Sequence, residues 1–172
     1  DCNSLESVTI PDSVTSIRER AFEDCTSRTS INVDENNKHF SNDERGVLFN
    51  KDKTTLLQYP IGNSATSYIV PNSVTSIGWY AFRDCNSLES VTIPDSVTSI
   101  GSEAFFNCKS LTSITIPDSV TSISSYAFVG CISLTSVNVD GNNKHFSNDE
   151  RDVLFNKDKT TLLQYPSGNS AT

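Results

Sequence analysis

Five cysteines recur at regular intervals in this chain of 172 residues, which makes them the first candidates for chemistry. They are Cys2, Cys25, Cys85, Cys108 and Cys131, separated by 23, 60, 23 and 23 residues. A metal site needs cysteine or histidine at CxxC-like spacing, which the sequence lacks. The regular interval instead predicts a ladder of interior positions, where thiols pack as small apolar groups. Disulfides between neighbouring positions are an open alternative, but we expect free, buried thiols.

Histidine and acidic side chains are the second group of candidates. His39 and His145 occupy equivalent positions in two copies of one segment, and the sequence offers neither of them a partner for acid–base catalysis. Residues 34–44 and 140–150 are rich in Asp, Glu and Asn, whose oxygens suit calcium. A lysine interrupts each stretch and the turn glycine of an EF-hand is missing, so these residues are predicted to form turns. We predict no metal and no cofactor.

The charge balance and the hydropathy pattern narrow the possible partners. Asp and Glu outnumber Lys and Arg by 21 to 13, and the basic residues form no stripe, which argues against binding to nucleic acid. No apolar run approaches the roughly 18 residues of a membrane span, so membrane insertion is not expected. The sequence contains no triad order and no nucleotide-binding loop, and we predict that the chain is not an enzyme. It leaves the oligomeric state open.

A repeating unit of 23 residues positions the cysteines. Its centre is Pro-Asp-Ser-Val-Thr-Ser-Ile at 11–17, 94–100 and 117–123, with Asn in place of Asp at 71–77. Self-similarity at such a period is the signature of a solenoid, in which each coil meets the same environment above and below. The sequence therefore predicts a stack of coils, mostly β, with parallel strands.

One unit shows how a coil is built. Val91 and Ile93 point to one side of a predicted strand and Thr92 to the other, and Pro94 ends the strand because it has no N–H for the ladder. A second, short extended run follows at 97–100. The next segment is predicted to be a short helical or 3₁₀ turn that places three residues on the core: Ala104, Phe105 and Cys108.

A longer unit overlays the short one. Residues 36–66 and 142–172 differ only at Gly46/Asp152 and Ile61/Ser167. We predict an atypical long repeat at about 31–71, duplicated from about 137 to 172, within a single solenoid over 1–172. Because the chain starts and stops inside repeats, we expect it to be a window from a longer array. The coil count inside 31–71 does not follow from the sequence.

The pattern Leu-x-x-Val-x-Ile-Pro-x-x-Val-x-x-Ile-x-x-x-Ala-Phe-x-x-Cys resembles the BspA-type leucine-rich repeats, also called the Treponema pallidum type. The long element at 46–60 is similar to the longer repeats of that family. The resemblance implies a right-handed solenoid with a strand on its concave side, in surface or secreted proteins, several of which are adhesins or host-protein binders. It implies no catalytic motif. Arg28 departs from the pattern at a Leu position, and we expect an open or less well packed coil there.

Two groups of residues are candidates for ligand binding. Outward residues of the strands form a small, polar, nearly uncharged face that is suited to many weak hydrogen bonds, although the same residues would also simply keep an exposed sheet soluble. The second group is Trp79 and Tyr80, the one aromatic pair in the variable part of the unit, which is either an interface anchor or a cover for the long insert. The candidate residues of the polar face are Ser90, Thr92, Ser113, Thr115, Ser136 and Asn138.

These observations predict a non-enzymatic recognition or adhesion module, at the cell surface or secreted. Its expected partner is a host or extracellular protein, with a glycan as a further possibility. The alternative is a structural spacer array that has no ligand of its own.

Overall fold

The computed structural model describes residues 4–18, 21–22 and 25–169 of the chain. In these ranges there are fifteen short strands and no helix, and hence no helix that is long and apolar enough to cross a membrane. The predictions made for Cys2 fall outside the described residues. The strands are β1 (Ser7–Ile10), β2 (Ser30–Val33), β3 (Phe40–Asn42), β4 (Leu48–Asn50), β5 (Thr55–Gln58), β6 (Ser67–Ile69), β7 (Ser76–Ile77), β8 (Ser90–Thr92), β9 (Ser99–Ile100), β10 (Ser113–Ile116), β11 (Ser122–Ile123), β12 (Ser136–Val139), β13 (Phe146–Asn148), β14 (Leu154–Asn156) and β15 (Leu162–Gln164).

The predicted solenoid is confirmed, and the first strand of each coil defines one side of it, called here the first side. Strands β1 and β2 pair in parallel, and β6, β8, β10 and β12 form a second parallel sheet. The register repeats from coil to coil, so that Ser113 lies between Ser90 and Ser136. Val91 and Ile93 are buried and Thr92 is exposed, as the alternating pattern predicts.

The second extended runs form the other side of the stack. Strands β7, β9 and β11 pair in parallel, and β7 continues into β5 of the long repeat. There the chain folds as an antiparallel meander of β3, β4 and β5. The same meander recurs as β13, β14 and β15. Residues 30–59 are therefore one expanded coil, called here the long coil, and 136–165 repeat it.

Stacked side chains fill the interior. The rings of Phe82, Phe105 and Phe128 are nearly parallel, with centroids 4.9 and 5.4 Å apart, and Tyr59 of the long coil continues the column at 5.5 Å from Phe82. Burial of these rings and of the aliphatic ladder, at about 25 cal/mol per Å² of apolar surface, is the main stabilising contribution. Phe105 thus has a phenylalanine of the neighbouring coil on each side.

The predicted helical turn at 104–108 is wrong in detail. Ala104, Phe105 and Cys108 are buried as expected, but the segment forms hydrogen-bonded turns and no helix. Glu103 and Asn107 both have positive φ, of 53° and 60°. Left-handed residues interrupt a right-handed helix, and only three residues lie between them, which is fewer than one helical turn.

Threonine hydroxyls connect successive coils along two columns. On the first side the hydroxyl of Thr112 donates to the carbonyl of Glu89 at 3.1 Å, and that of Thr135 donates to the carbonyl of Thr112 at 3.0 Å. On the other side Thr98 and Thr121 bond in the same way to the preceding coil. These side chains supplement the backbone ladder, and their hydroxyl protons are already used in these bonds.

Candidate functional site

The six candidate residues of the polar face lie together on the first side of the solenoid. Ser90, Ser113 and Ser136 form one row across the strands, and Thr115 lies opposite Asn138 in the next row. The row of serines is half-buried to exposed, and the second row is exposed. None of these six residues is charged, and none of them lines a cleft described below.

Trp79 and Tyr80 project from the turn that follows β7. Trp79 is 56% exposed, which is high for an indole, whereas Tyr80 is half-buried with its ring 5.4 Å from the guanidinium of Arg83. Tyr80 has a positive φ of 61°, so the backbone itself fixes the direction in which this turn presents its side chains. Both residues line a cleft that the sequence did not predict.

The cleft exists because one segment of the long coil, from β5 to the ring that joins the aromatic column, is two residues shorter than the matching segment of a regular coil. From Ile77 to Phe82 a regular coil advances five positions, whereas Leu56 and Tyr59 are three positions apart. Leu56 nevertheless pairs with Ile77, and Tyr59 stacks on Phe82. The long coil therefore lacks the outward turn that 78–80 form in the next coil. Its absence leaves a gap between the turns on either side.

The gap is an apolar cleft of about 250 Å³, called here the tryptophan cleft. The meander forms its floor, the coil before the meander forms one wall, and the coil after it forms the other. Charged side chains are rare in the lining: within the described residues it contains one arginine and no carboxylate. The lining residues are Ile17, Arg18, Ala21, Phe22, Phe40, Leu48, Leu57, Gln58, Gly78, Trp79 and Tyr80.

Arg28 lies directly behind the wall of this cleft. Its guanidinium carbon is 4.4 Å from the ring centroid of Phe22, and Nη1 donates to the Phe22 carbonyl at 3.4 Å. The side chain is fully buried, and neither Nε nor Nη2 has a hydrogen-bond partner. Burial lowers the pKa of Arg28 and nearby Cys25 opposes that effect, but an arginine stays protonated in proteins. Arg28 is buried, so the coil is not open at this position; that it is less well packed there stays a prediction.

The duplicated segment builds a second cleft of the same kind, of about 220 Å³. Its residues include Ala127, Phe128, Leu154, Leu163 and Gln164, each of which lies 106 positions after a residue of the tryptophan cleft. No charged side chain is among the lining residues described for it. Among the lining residues described for the two clefts, Arg18 is the one charged side chain.

The cysteines of the described residues are free and buried, as predicted. The thiols of Cys108 and Cys131 donate to carbonyls of the preceding coil at 2.9 and 3.0 Å. A hydrogen bond with Cys131, together with burial, raises the pKa of Cys108, and burial raises that of Cys85. A buried, protonated thiol is a poor nucleophile. The column therefore packs the core.

The loop residues form turns. His39 and His145 are exposed. The carboxylate of Asp43 accepts bonds from the backbone N–H groups of Arg45 and Val47, at 2.9 Å each, and Asp149 repeats this in the second copy. Nowhere in the described ranges do three His, Cys, Asp or Glu side chains converge as metal ligands.

Parallel strands stacked at one period, with inward Leu, Val, Ile and Phe, define a leucine-rich-repeat solenoid. Residues 1–44 and 61–167 match the BspA type leucine rich repeat region in six copies. The chain belongs to this family, whose repeats are generally non-catalytic.

Solved bacterial structures have the same fold. A leucine-rich repeat protein from Eubacterium ventriosum matches with a TM-score of 0.75 and 34% identity, over 79% of this chain and 36% of that one. The pneumococcal vaccine antigen PcpA matches with 0.67 and 27%, over 84% and 41%. A leucine rich cell surface protein from Faecalibacterium prausnitzii matches with 0.58 and 28%, over 80% and 48%. This chain therefore spans less than half of each. No curated protein sequence matches it.

Proposed function

We propose that the chain is a non-enzymatic recognition module, displayed at a cell surface or secreted, that binds a protein partner through its repeat faces. The observation that carries this proposal is the tryptophan cleft. Large exposed aromatic residues beside a concave apolar surface are typical anchors of protein interfaces. The names of two similar proteins, a cell surface protein and a vaccine antigen, support the location.

The polar face is the second part of the proposed surface. Ser90, Ser113 and Ser136 offer hydroxyls at regular intervals, but without an aromatic or arginine anchor they contribute weak contacts. We therefore assign most of the binding free energy to Trp79 and Tyr80, and the role of a polar rim to the serine rows.

A binding screen against extracellular proteins and glycans tests the proposal, with the monomeric state checked first. Trp79→Ala is expected to weaken a saturable interaction by at least about tenfold, as for a central aromatic anchor. Triple substitution of Ser90, Ser113 and Ser136 by Lys tests the polar face. Ile132→Ala is the matched control, because Ile132 is 61% exposed and lines neither cleft.

The spacer alternative makes a different prediction. The stacked phenylalanine rings and the threonine hydrogen bonds between coils would stiffen the solenoid, and a stiff spacer needs no ligand. A well-folded monomer that binds nothing in the screen would favour the spacer, and a hit that none of the face variants weakens would place the ligand outside both proposed faces.

A further inference from the structure

We propose that the free edge of β6 binds an extended polypeptide segment, which adds to the first-side sheet as a further strand beside Ile69. This inference rests on the proposed function and specifies how the first side holds its partner. Ile69 is absent from the residues that the sequence predicts to bind a ligand, although it lies on the same face as six of them. The inference follows from the pairing of β6, the groove beside it and the exposure of Ile69.

Strand β6 has one unpaired edge. It is the last strand of the four-stranded sheet and pairs with β8 alone. The N–H of Val70 donates to the carbonyl of Thr92 in the following coil at 3.0 Å. Successive residues of a strand direct their peptide groups to opposite sides, so the N–H and the carbonyl of Ile69 point away from β8. No hydrogen bond among the described residues uses either group. Such an edge is a template for pairing with another chain.

A groove of about 510 Å³ runs beside this edge, and the loop of residues 42–45 forms its other wall. Two contacts hold the walls in place. Nη1 of Arg45 donates to the carbonyl of Ser67 at 3.1 Å, and the hydroxyl of Tyr68 donates to the carboxylate of Asp43 at 2.9 Å. The groove is therefore formed before a ligand arrives, which lowers the entropic cost of binding.

Ile69 is an aliphatic residue in an otherwise polar row. It lies opposite Thr92 in the sheet register, and Thr115 and Asn138 continue the same face. Its side chain is 72% exposed, more than any other large apolar side chain that the structure describes. A β-branched residue on an added strand would cover it and gain from the cross-strand contact. The polar face thus has an apolar anchor at the position where its sheet is open.

The chemistry of the groove favours a polypeptide over an ion or a sugar. Two acidic and two basic side chains are among its described lining residues, so an ion of neither sign is selected: Asp43, Glu44, Arg45 and Lys53. An N–H and a carbonyl on one residue match the same two groups of an antiparallel residue, which donates and accepts at once. A sugar offers no such pair and would leave the isoleucine side chain uncovered. A strand already occupies the other edge of β6, and strand addition continues that pairing.

The uncharged peptide acetyl-Ser-Thr-Val-Thr-Ser-amide is the probe, because it is extended, β-branched and free of charges that could bind elsewhere. Its binding is followed by the backbone amide resonance of Ile69. We expect a saturable shift and slower hydrogen exchange of this N–H. The analogue with N-methylvaline at its centre lacks the central donor, and we expect it to bind at least about fivefold more weakly.

Two variants test the edge and the side chain, with the amide resonance of Ser67 as the reporter. Ile69→Pro removes the N–H that faces the groove, at a strand edge where proline is tolerated, and should abolish binding. Ile69→Thr/Thr115→Ile keeps the composition and moves the isoleucine to β10, which has a strand on both edges. It should weaken binding by about two- to fivefold, because an isoleucine without a free edge gives no pairing site. Circular dichroism checks that both variants fold.

Equal binding of the N-methylated analogue, or normal binding by Ile69→Pro, would overturn the proposal. So would slower exchange of the Ile69 N–H that depends on protein concentration without peptide, because a second copy of the chain would then occupy the edge. A partner from the screen that Trp79→Ala releases, but that binds Ile69→Pro normally, would refute strand addition and keep the recognition function. A screen without any partner would fail the proposed function itself, and the peptide titration would still decide the strand edge.

Discussion

Replacement of Arg28 by leucine is expected to stabilise the protein. The substitution removes a fully buried guanidinium, of which two nitrogens, Nε and Nη2, have no hydrogen-bond partner, and restores the leucine that the other coils carry. Replacing a buried ion pair by apolar residues of similar volume is often neutral or stabilises by about 1–4 kcal/mol, and we take the same range for this buried charge. The bond to the Phe22 carbonyl and the contact with its ring are lost, and each is worth about 1 kcal/mol or less. We expect a net gain of roughly 1–2 kcal/mol.

Thermal and denaturant unfolding measure this gain. For a chain of this size, 1 kcal/mol corresponds to about 2–4 °C in Tm, so Arg28→Leu should raise Tm by roughly 2–8 °C. The matched control is Leu134→Arg, which places the same guanidinium at the equivalent position of the second copy. That variant should lose about 3 kcal/mol or more.

A Tm of Arg28→Leu equal to or below that of the parent chain would refute the reasoning. It would mean that the guanidinium is already compensated inside the fold, or that leucine leaves a cavity that costs as much as the charge.

Three further predictions concern packing and pH. Gly46→Asp should destabilise by about 2 kcal/mol or more, because Gly46 has a φ of 71° and an added Cβ would lie 2.6 Å from the Ser30 Cβ. Denaturation midpoints test this prediction, and the control variant Asp152→Gly should change the midpoint little. Phe105→Ala opens the centre of the ring column and should cost about 3–5 kcal/mol, and a loss below about 1 kcal/mol would contradict the column's role. Burial raises the pKa of Tyr59 to about 12, so the folded state keeps a proton that the unfolded chain loses near pH 10, and stability falls as pH rises from about 10 to 12. Tyr59→Phe should flatten that fall, and an unchanged slope would assign it to other groups.

The periodic part of the fold follows from the sequence because the environment repeats. Val91, Ile93 and Phe105 are each buried where the 23-residue pattern places them. Burial of apolar side chains dominates such positions, and alternation alone gives their direction. The turn was misjudged because Glu103 and Asn107 take positive φ without being glycine, and side-chain type indicates that conformation only weakly.

The long coil and its cleft were harder to predict. The sequence does contain a signal, since Leu56 and Tyr59 are two positions closer than Ile77 and Phe82. Its meaning depends on the pairing of β5 with β7, which is a long-range contact. The full burial of Arg28 was also missed, because a charged side chain is expected to be exposed when the sequence indicates no partner for it.

The threonine columns have a mechanical consequence. A pull along the axis of the stack loads the bonds between successive coils in series, because Thr112 holds its coil to Glu89, and Thr135 holds the next coil to Thr112. Bonds in series break one interface at a time. Each event would release one unit of 23 residues, or about 80 Å of extended chain. Under tension the array would therefore lengthen in steps, and the coils that remain stacked would stay intact.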